Sequence, residues 1–283
     1  MLFRSHAGEP ADYVKQIQKW RTQEEADLKK EDGWLSVSGL FWLSEGPNRI
    51  GTHPHSTVLL PAADGPAFAG TITLSGGKPS IQLEPGVHAT LAGKPITAHE
   101  LKTDIGGGPD KVRMGAITLT VIVRGKRIGV RMYDNKCKTK ADYKGMKWYA
   151  VDKNYRVAAI FIPYNPPKKI TITSIIGDIE DELSPGYVEF TLHGAACRLE
   201  AQKSAAGLFF NFHDLTSGKE TYGAGRFLTT NSPVNGKVTL DFNQAVNPPC
   251  AVTAFATCPL APKANYLQVR VEAGELTHHP HSN

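Results

Sequence analysis

The stretch from His213 to Arg226, HDLTSGKETYGAGR, concentrates side chains that can transfer protons or bind anions. His213 and Asp214 are candidate general bases, and Asp241 is a third. If the protein is an enzyme, these three predict metal-free hydrolysis or isomerisation. Asp214 also begins the sequence DLTSG, which is typical of a turn in which the aspartate caps backbone amides. Arg226 is the candidate for holding an anionic group.

Tyr222 and Arg226 fall in a predicted strand from Thr221 to Leu228. Residues four apart on a strand point to the same face, and the small Ala224 between them leaves room above the backbone. If that face is interior, Arg226 is a buried charge that needs a carboxylate or an anionic ligand. Asp241 is the natural protein partner, and a ligand carboxylate or phosphate is the alternative.

The segment DFNQAVNPPCAVTAFATCPLAP follows the last predicted strand and is rich in proline. Asn243 and Asn247 either pin this loop through hydrogen bonds to its backbone or line a polar pocket beside Arg226. Cys250 and Cys258 have four readings: buried free thiols, a disulfide in an exported protein, metal ligands, or a nucleophile with His213 as its base.

The cysteine spacing is far from the C-x-x-C of a structural zinc site, so we expect no metal and no other cofactor. A mixed metal site would have to recruit His213 with Asp214, or histidines of the tail. The tail candidates are His278, His279 and His281.

Arg131 and Arg156 are two further candidates for binding an anionic ligand. Together with Asp134, they are charged residues at the ends of predicted strands, beside several tyrosines. Two interpretations remain open. The charges form a salt-bridged seam between two β units, or they form one wall of a ligand pocket at that seam.

The elements that must position these residues are mostly strands. One convincing helix is predicted over 10–31, ending at Gly33, and an apolar stripe with Ile17 and Trp20 packs it on the protein. After it, short apolar runs alternate with turn residues, as in an all-β sandwich or barrel. Ile117–Val123 and Ile128–Met132 form the clearest hairpin.

The irregular, polar stretch from Asp134 to Asp152 is the predicted boundary between two β units. The predicted domains are therefore a helical arm at 1–33, a β-sandwich at 34–140 and a second, barrel-like antiparallel β unit at 141–283.

Composition narrows the class of protein. The net charge of +5 is modest and no long basic run occurs, so we expect no nucleic-acid partner. No apolar stretch is long enough for a membrane span, and no signal peptide is visible, so we expect no membrane partner and a cytoplasmic location. An exported form that has lost its leader would look similar.

Three motifs carry a family resemblance: GWLSVSGLFWLSEGPNRIG, TYGAGRFL and DFNQAVNPPCA with the following ATCPL. With them the chain resembles the DUF1684 family, a domain of unknown function, from about Trp20 to Glu275. The resemblance implies no activity, and it implies no role for the residues that match the family.

The first β unit also resembles a forkhead-associated (FHA) β-sandwich, through EGPNRIGTHPHSTVLLP. FHA domains read phosphothreonine through an arginine after the glycine and a later Ser-x-x-His. Here Thr52 follows Gly51 and no such serine–histidine pair follows, so this resemblance implies the sandwich without phosphopeptide recognition.

From these residues we expect a protein that binds a small anionic molecule in a pocket of the second β unit or at the seam. Arg226, Arg131 and Arg156 would hold the anion, and Tyr222 and Asn243 would orient it. The rival hypotheses are a protein-interaction module that uses the FHA-like sandwich, and a metal-dependent enzyme.

Overall fold

The computed structural model describes residues 10–62 and 65–277. Helix α1 runs from Pro10 to Leu28, and the short helix α2 from Lys138 to Asp142. The strands are β1 (Val37–Trp42), β2 (Gly46–Gly51), β3 (Val58–Leu59), β4 (Gly70–Ser75), β5 (Lys78–Leu83), β6 (Ala89–Leu91), β7 (Lys94–Ile96), β8 (Ala98–Glu100), β9 (Val112–Met114), β10 (Ile117–Arg124), β11 (Arg127–Asp134), β12 (Arg156–Thr173), β13 (Ile179–Leu192), β14 (Ala195–Glu200), β15 (Gln202–Lys203), β16 (Gly207–Phe212), β17 (Arg226–Asn231) and β18 (Lys237–Asp241). Single 3-10 turns occur at Trp34–Ser36, Lys153–Tyr155, Phe242–Gln244, Pro249–Ala251 and Lys263–Asn265. The predicted all-β class with an N-terminal helix is confirmed.

The chain divides into two compact units. The sandwich unit comprises Leu28–Tyr143 and Val252–Thr257. The barrel unit comprises the described residues up to Asp27, Lys144–Ala251, and the described residues from Cys258 onward. Helix α1 up to Asp27 therefore belongs with the strands of the barrel unit.

The sandwich unit has two sheets around one apolar core. Their strand orders are β1-β11-β10-β9-β6-β7 and β3-β2-β4-β5-β8. Ile50 and Ile72 from one sheet pack with Val121 and Val130 from the other in a single buried cluster. Alternation along each strand places these residues inward and leaves the opposite face for polar side chains.

The hairpin β10–β11 forms as its sequence predicts. Arg124 pairs with Arg127, so Gly125 and Lys126 make a two-residue turn. Gly125 has φ +55°, a left-handed conformation that favours glycine. The turn sets the register in which Thr120 lies directly opposite Arg131.

The barrel unit wraps two further sheets, β14-β13-β12-β18 and β15-β16-β17, around a core that includes Phe190, Phe210 and Phe242. The sequence Tyr164-Asn165-Pro166-Pro167 has the composition of a turn, but no turn ends the strand there. Strand β12 continues through it, and the extra residues are absorbed by a register shift between Pro163 and Lys168 against β13.

Candidate functional site

Arg226, the first candidate for anion binding, is sealed in the core of the barrel unit. Its side chain is 0% exposed, and its Nη2 lies 3.3 Å from Asp214 Oδ1. Nη2 also donates to the carbonyl of Val271 at 2.9 Å, and Nη1 donates to the carbonyl of Ala273. Burial lowers the pKa of Arg226, and Asp214 opposes that shift. The expected ion pair with Asp241 is therefore wrong, and Arg226 faces protein atoms where a ligand was expected.

Asp214, a candidate base, caps the turn that its sequence predicts. Its carboxylate accepts hydrogen bonds from the Thr216 hydroxyl, the Ser217 hydroxyl and the Val271 amide, the last at 2.7 Å. Because Asp214 is 1% exposed and already paired with Arg226, its carboxylate is enclosed by protein donors. This geometry favours a structural role.

Tyr222 does not share a strand with Arg226, because β17 begins only at Arg226. The preceding residues form a turn in which Gly225 has φ +96°, and a Cβ there would meet the Phe212 carbonyl oxygen at 2.5 Å. The Tyr222 hydroxyl donates to the carbonyl of Cys250 at 3.1 Å, which ties this turn to the proline-rich loop.

Asp241 and Asn243 anchor helix α1 to the barrel unit. The Tyr13 hydroxyl donates to the Asp241 carboxylate at 2.8 Å and accepts from Asn243 Nδ2 at 2.9 Å. Asn243, fully buried, also bonds the backbone of Asp152 with both ends of its amide. Arg156 Nε approaches Asp241 at 3.6 Å, and its side chain is 55% exposed. Arg156, not Arg226, is thus the arginine beside Asp241.

Asn247 pins the proline-rich loop to the end of the described chain. Its backbone amide donates to Glu275 Oε2 at 2.7 Å, and its side-chain Nδ2 donates to the Leu276 carbonyl at 2.9 Å. Its Oδ1 is buried and has no hydrogen-bond partner among the described residues. The loop-pinning interpretation fits these bonds.

The two loop cysteines, Cys250 and Cys258, lie close together and are not joined by a disulfide. The backbone amide of Cys250 donates to Cys258 Sγ at 3.3 Å. His213, the proposed base for a nucleophilic cysteine, stacks its ring on Tyr266 with centroids 4.6 Å apart. Burial lowers the pKa of His213, which favours its neutral form.

Arg131, in the sandwich unit, is a buried arginine of a different kind. It is 6% exposed, and its Nε and Nη2 have no hydrogen-bond partner in residues 10–62 and 65–277. These two nitrogens form one edge of the guanidinium, with N–H bonds that point side by side. In proteins generally, this edge of an arginine is suited to a carboxylate or a phosphate, which can accept two parallel hydrogen bonds from it.

The surroundings of Arg131 hold the guanidinium in place without neutralising it. Its Cζ lies 4.7 Å from the centre of the Trp34 ring. Burial is the largest cause of the lowered pKa of Arg131, and the charge of Arg124 lowers it further. Tyr133, through its charge and a side-chain hydrogen bond, and Asp104 oppose the shift. The Asp104 carboxylate, however, already accepts hydrogen bonds from Arg124 at 2.6 Å and from the Val123 amide at 2.8 Å.

Two hydroxyl groups in the sheet that contains Arg131 also lack hydrogen-bond partners among the described residues. Thr120 is 3% exposed and lies directly across the strand pair from Arg131, and its Oγ1 lacks a partner in the part of the chain that the structure describes. Ser38 Oγ, at the register shift between Val37 and Gly39 of β1, is buried and equally unpartnered there. Sequence reasoning selected Arg131 but missed Thr120 and Ser38. The predicted β10–β11 hairpin could have indicated Thr120, because its register places Thr120 directly opposite Arg131.

The described residues contain no group of three or more histidine, cysteine, aspartate or glutamate side chains placed to hold a metal ion. The tail histidines His278, His279 and His281 lie outside the described residues. No helix within the described ranges is long and apolar enough to cross a membrane.

Fold and site together define an all-β protein of two compact units, and the sandwich unit holds a buried guanidinium with two nitrogens that lack hydrogen-bond partners among the described residues. Residues 141–276 match the family described as "Protein of unknown function (DUF1684)", which confirms the DUF1684 resemblance over that range. The match is shorter than the resemblance from Trp20 to Glu275, and Arg131 lies outside it.

The chain is also similar to one uncharacterised protein of known structure, from gene locus rrnAC0354 of Haloarcula marismortui, solved by solution NMR. The two are 30% identical over 50% of this chain and 81% of that one, with a TM-score of 0.41. No curated protein matches the chain.

Proposed function

We propose that this DUF1684 protein binds a small molecule bearing a carboxylate or phosphate group, and that Arg131 holds that group. The observation that carries the proposal is the guanidinium edge of Arg131, buried with both of its donors unpartnered among the described residues. The ligand is still the anionic molecule expected from the sequence, but the residue proposed to bind it is Arg131 and no longer Arg226.

The positive charge of Arg131 makes its burial energetically costly. A buried ion without a counter-charge is strongly destabilising, on the order of 3–5 kcal/mol where a buried pair has been broken. Arg226 avoids this penalty through Asp214, whereas Arg131 has only partial compensation from Tyr133 and Asp104. An oxyanion on the free edge would supply the missing charge and satisfy both donors, and the Thr120 hydroxyl could donate a further hydrogen bond.

The proposal concerns binding and includes no catalytic step. The candidate bases Asp241 and Asp214 accept several hydrogen bonds from the protein, and the His213 ring is stacked on Tyr266. All three belong to the barrel unit, whereas Arg131 belongs to the sandwich unit.

The proposal is tested by measuring Tm against increasing concentrations of inorganic phosphate, pyrophosphate, acetate and malonate. We expect at least one probe to raise the Tm of the wild type progressively, because a ligand that binds only the folded state stabilises it. Arg131→Gln should abolish the rise. Arg113→Gln is the matched control, because Arg113 is an exposed arginine of the same sheet, paired with Glu31, and its loss should leave the rise intact.

A second variant separates binding from folding. In anion-free buffer, Arg131→Met should match or exceed the wild type in stability, by on the order of 1 kcal/mol, because it removes an unsatisfied buried charge. Strong destabilisation by Arg131→Met, together with no response of the wild type to any probe, would show that Arg131 is structural.

One observation favours a second candidate, a protein-interaction module built on the sandwich. Phe68 is 45% exposed, its ring stacks on His53 at 5.3 Å, and the guanidinium of Arg49 lies 5.7 Å from its centre. Cavities of about 490 and 570 Å³ both border Phe68. Exposed aromatics beside arginine are typical of protein interfaces. A wild type that responds to no anion would favour this candidate.

A further inference from the structure

Cys250 and Cys258 are positioned more closely than their sequence separation requires. Cys258 Sγ accepts a hydrogen bond from the Cys250 amide at 3.3 Å. Each cysteine is held in place by separate backbone bonds. The Cys250 carbonyl accepts from the Tyr222 hydroxyl at 3.1 Å, and the Cys258 carbonyl accepts from the Ile175 amide at 2.8 Å. Neither thiol is in a disulfide.

Six of the seven residues between the two cysteines belong to the other compact unit. Val252–Thr257 is part of the sandwich unit, whereas Ala251 and Cys258 belong to the barrel unit. Within the sandwich unit, the Thr253 hydroxyl donates to the Val37 carbonyl at 3.0 Å, and Arg124 Nε donates to Thr257 Oγ1 at 2.9 Å. The two cysteines therefore flank the short segment Val252–Thr257 that belongs to the sandwich unit.

We propose that Cys250 and Cys258 form a reversible disulfide that closes the loop between them. The oxidant is a small-molecule disulfide such as oxidised glutathione. The Cys250 thiolate attacks one sulfur of the oxidant, whose S–S bond breaks and releases one thiolate. The Cys258 thiolate then attacks Cys250 Sγ in the mixed disulfide and releases the second. The two cysteines lose two electrons to the oxidant, and their two protons pass through solvent to the released thiols.

The order of attack follows from exposure. Cys250 is partly exposed and Cys258 is buried, so a small oxidant reaches Cys250 first. A hydrogen bond from Cys258 lowers the pKa of Cys250, which favours its thiolate. Cys258, already beside Cys250, is then the resolving thiol.

The test equilibrates the folded, full-length protein in glutathione buffers of increasing oxidised fraction, followed by alkylation and mass spectrometry. We expect the intact, unalkylated mass to fall by about 2 Da in oxidising buffer. Peptide mapping of the wild type should place the link between Cys250 and Cys258, and the reduced form should return in excess reduced glutathione. The oxidised form should have the higher Tm, since a closed loop restricts the unfolded chain.

Two variants provide controls. Cys137→Ser/Cys197→Ser retains the pair and should show the same mass change, whereas Cys250→Ser should not. The proposal is overturned if all four cysteines remain open to alkylation in the most oxidising buffer, or if the mapped link involves Cys137 or Cys197. A stable glutathione adduct on Cys250, with Cys258 still reduced, would also overturn it.

Discussion

At the scale of single residues, two buried arginines define this protein. Arg226 and Arg131 are 0% and 6% exposed, but among the described residues only Arg226 has a carboxylate within ion-pairing distance, Asp214. Both arginines could be selected from the sequence as charges within or at the end of predicted strands. The partner of Arg226 could not, because the sequence favoured Asp241, whereas the fold places the guanidinium beside Asp214.

Replacing Asp214 tests the structural interpretation of the buried pair. Asp214→Asn should lower the free energy of unfolding by about 3–5 kcal/mol, because it leaves Arg226 charged and without a counter-ion in the core. Urea unfolding measures the change. Asp181→Asn, which removes an exposed partner of Lys169, is the control and should leave stability nearly unchanged. A small and equal effect of both substitutions would contradict a structural ion pair at Asp214.

At the scale of secondary-structure elements, the sequence predicts those features that neighbouring residues alone determine. The β10–β11 hairpin was predictable because its strands alternate and Gly125 permits the tight turn. The β12–β13 pair was only partly predictable. Its outer half is mostly exposed, and the prolines that suggested a turn are accommodated by a register shift. The helix predicted over 10–31 ends at Leu28 in the structure. Its attachment through Tyr13 depends on residues more than two hundred positions away in the sequence.

Tyr13 is the residue that tests this attachment. Tyr13→Phe should lower the free energy of unfolding by about 1–3 kcal/mol, because Asp241 and the Asn243 amide each lose a partner in a partly buried site. Denaturant unfolding followed by circular dichroism measures the loss. Thr22→Ala on the exposed side of the same helix should have little effect. An unchanged Tyr13→Phe variant would mean that other contacts hold the helix.

At the scale of the whole molecule, the two units are interleaved in sequence. The chain leaves the barrel unit after Asp27, returns at Lys144 and leaves again for Val252–Thr257. No local pattern indicates this path, because the segment VTAFAT has neither helical nor strand periodicity and its contacts are with distant residues. For the same reason the candidate site was only partly predictable: Arg131 was selected, whereas its unpartnered state depends on the surrounding fold.

The most direct test of anion binding is NMR of the Arg131 Nε–Hε group during titration with the probe that stabilises the protein most. Arg131→Gln identifies the signal by its absence. We predict a saturable change in the chemical shift of this signal, with the Nε–Hε signal of Arg113 unchanged. An Arg131 signal that does not move at saturating probe, or that moves no more than that of Arg113, would contradict the assignment of Arg131 as the anion-binding residue.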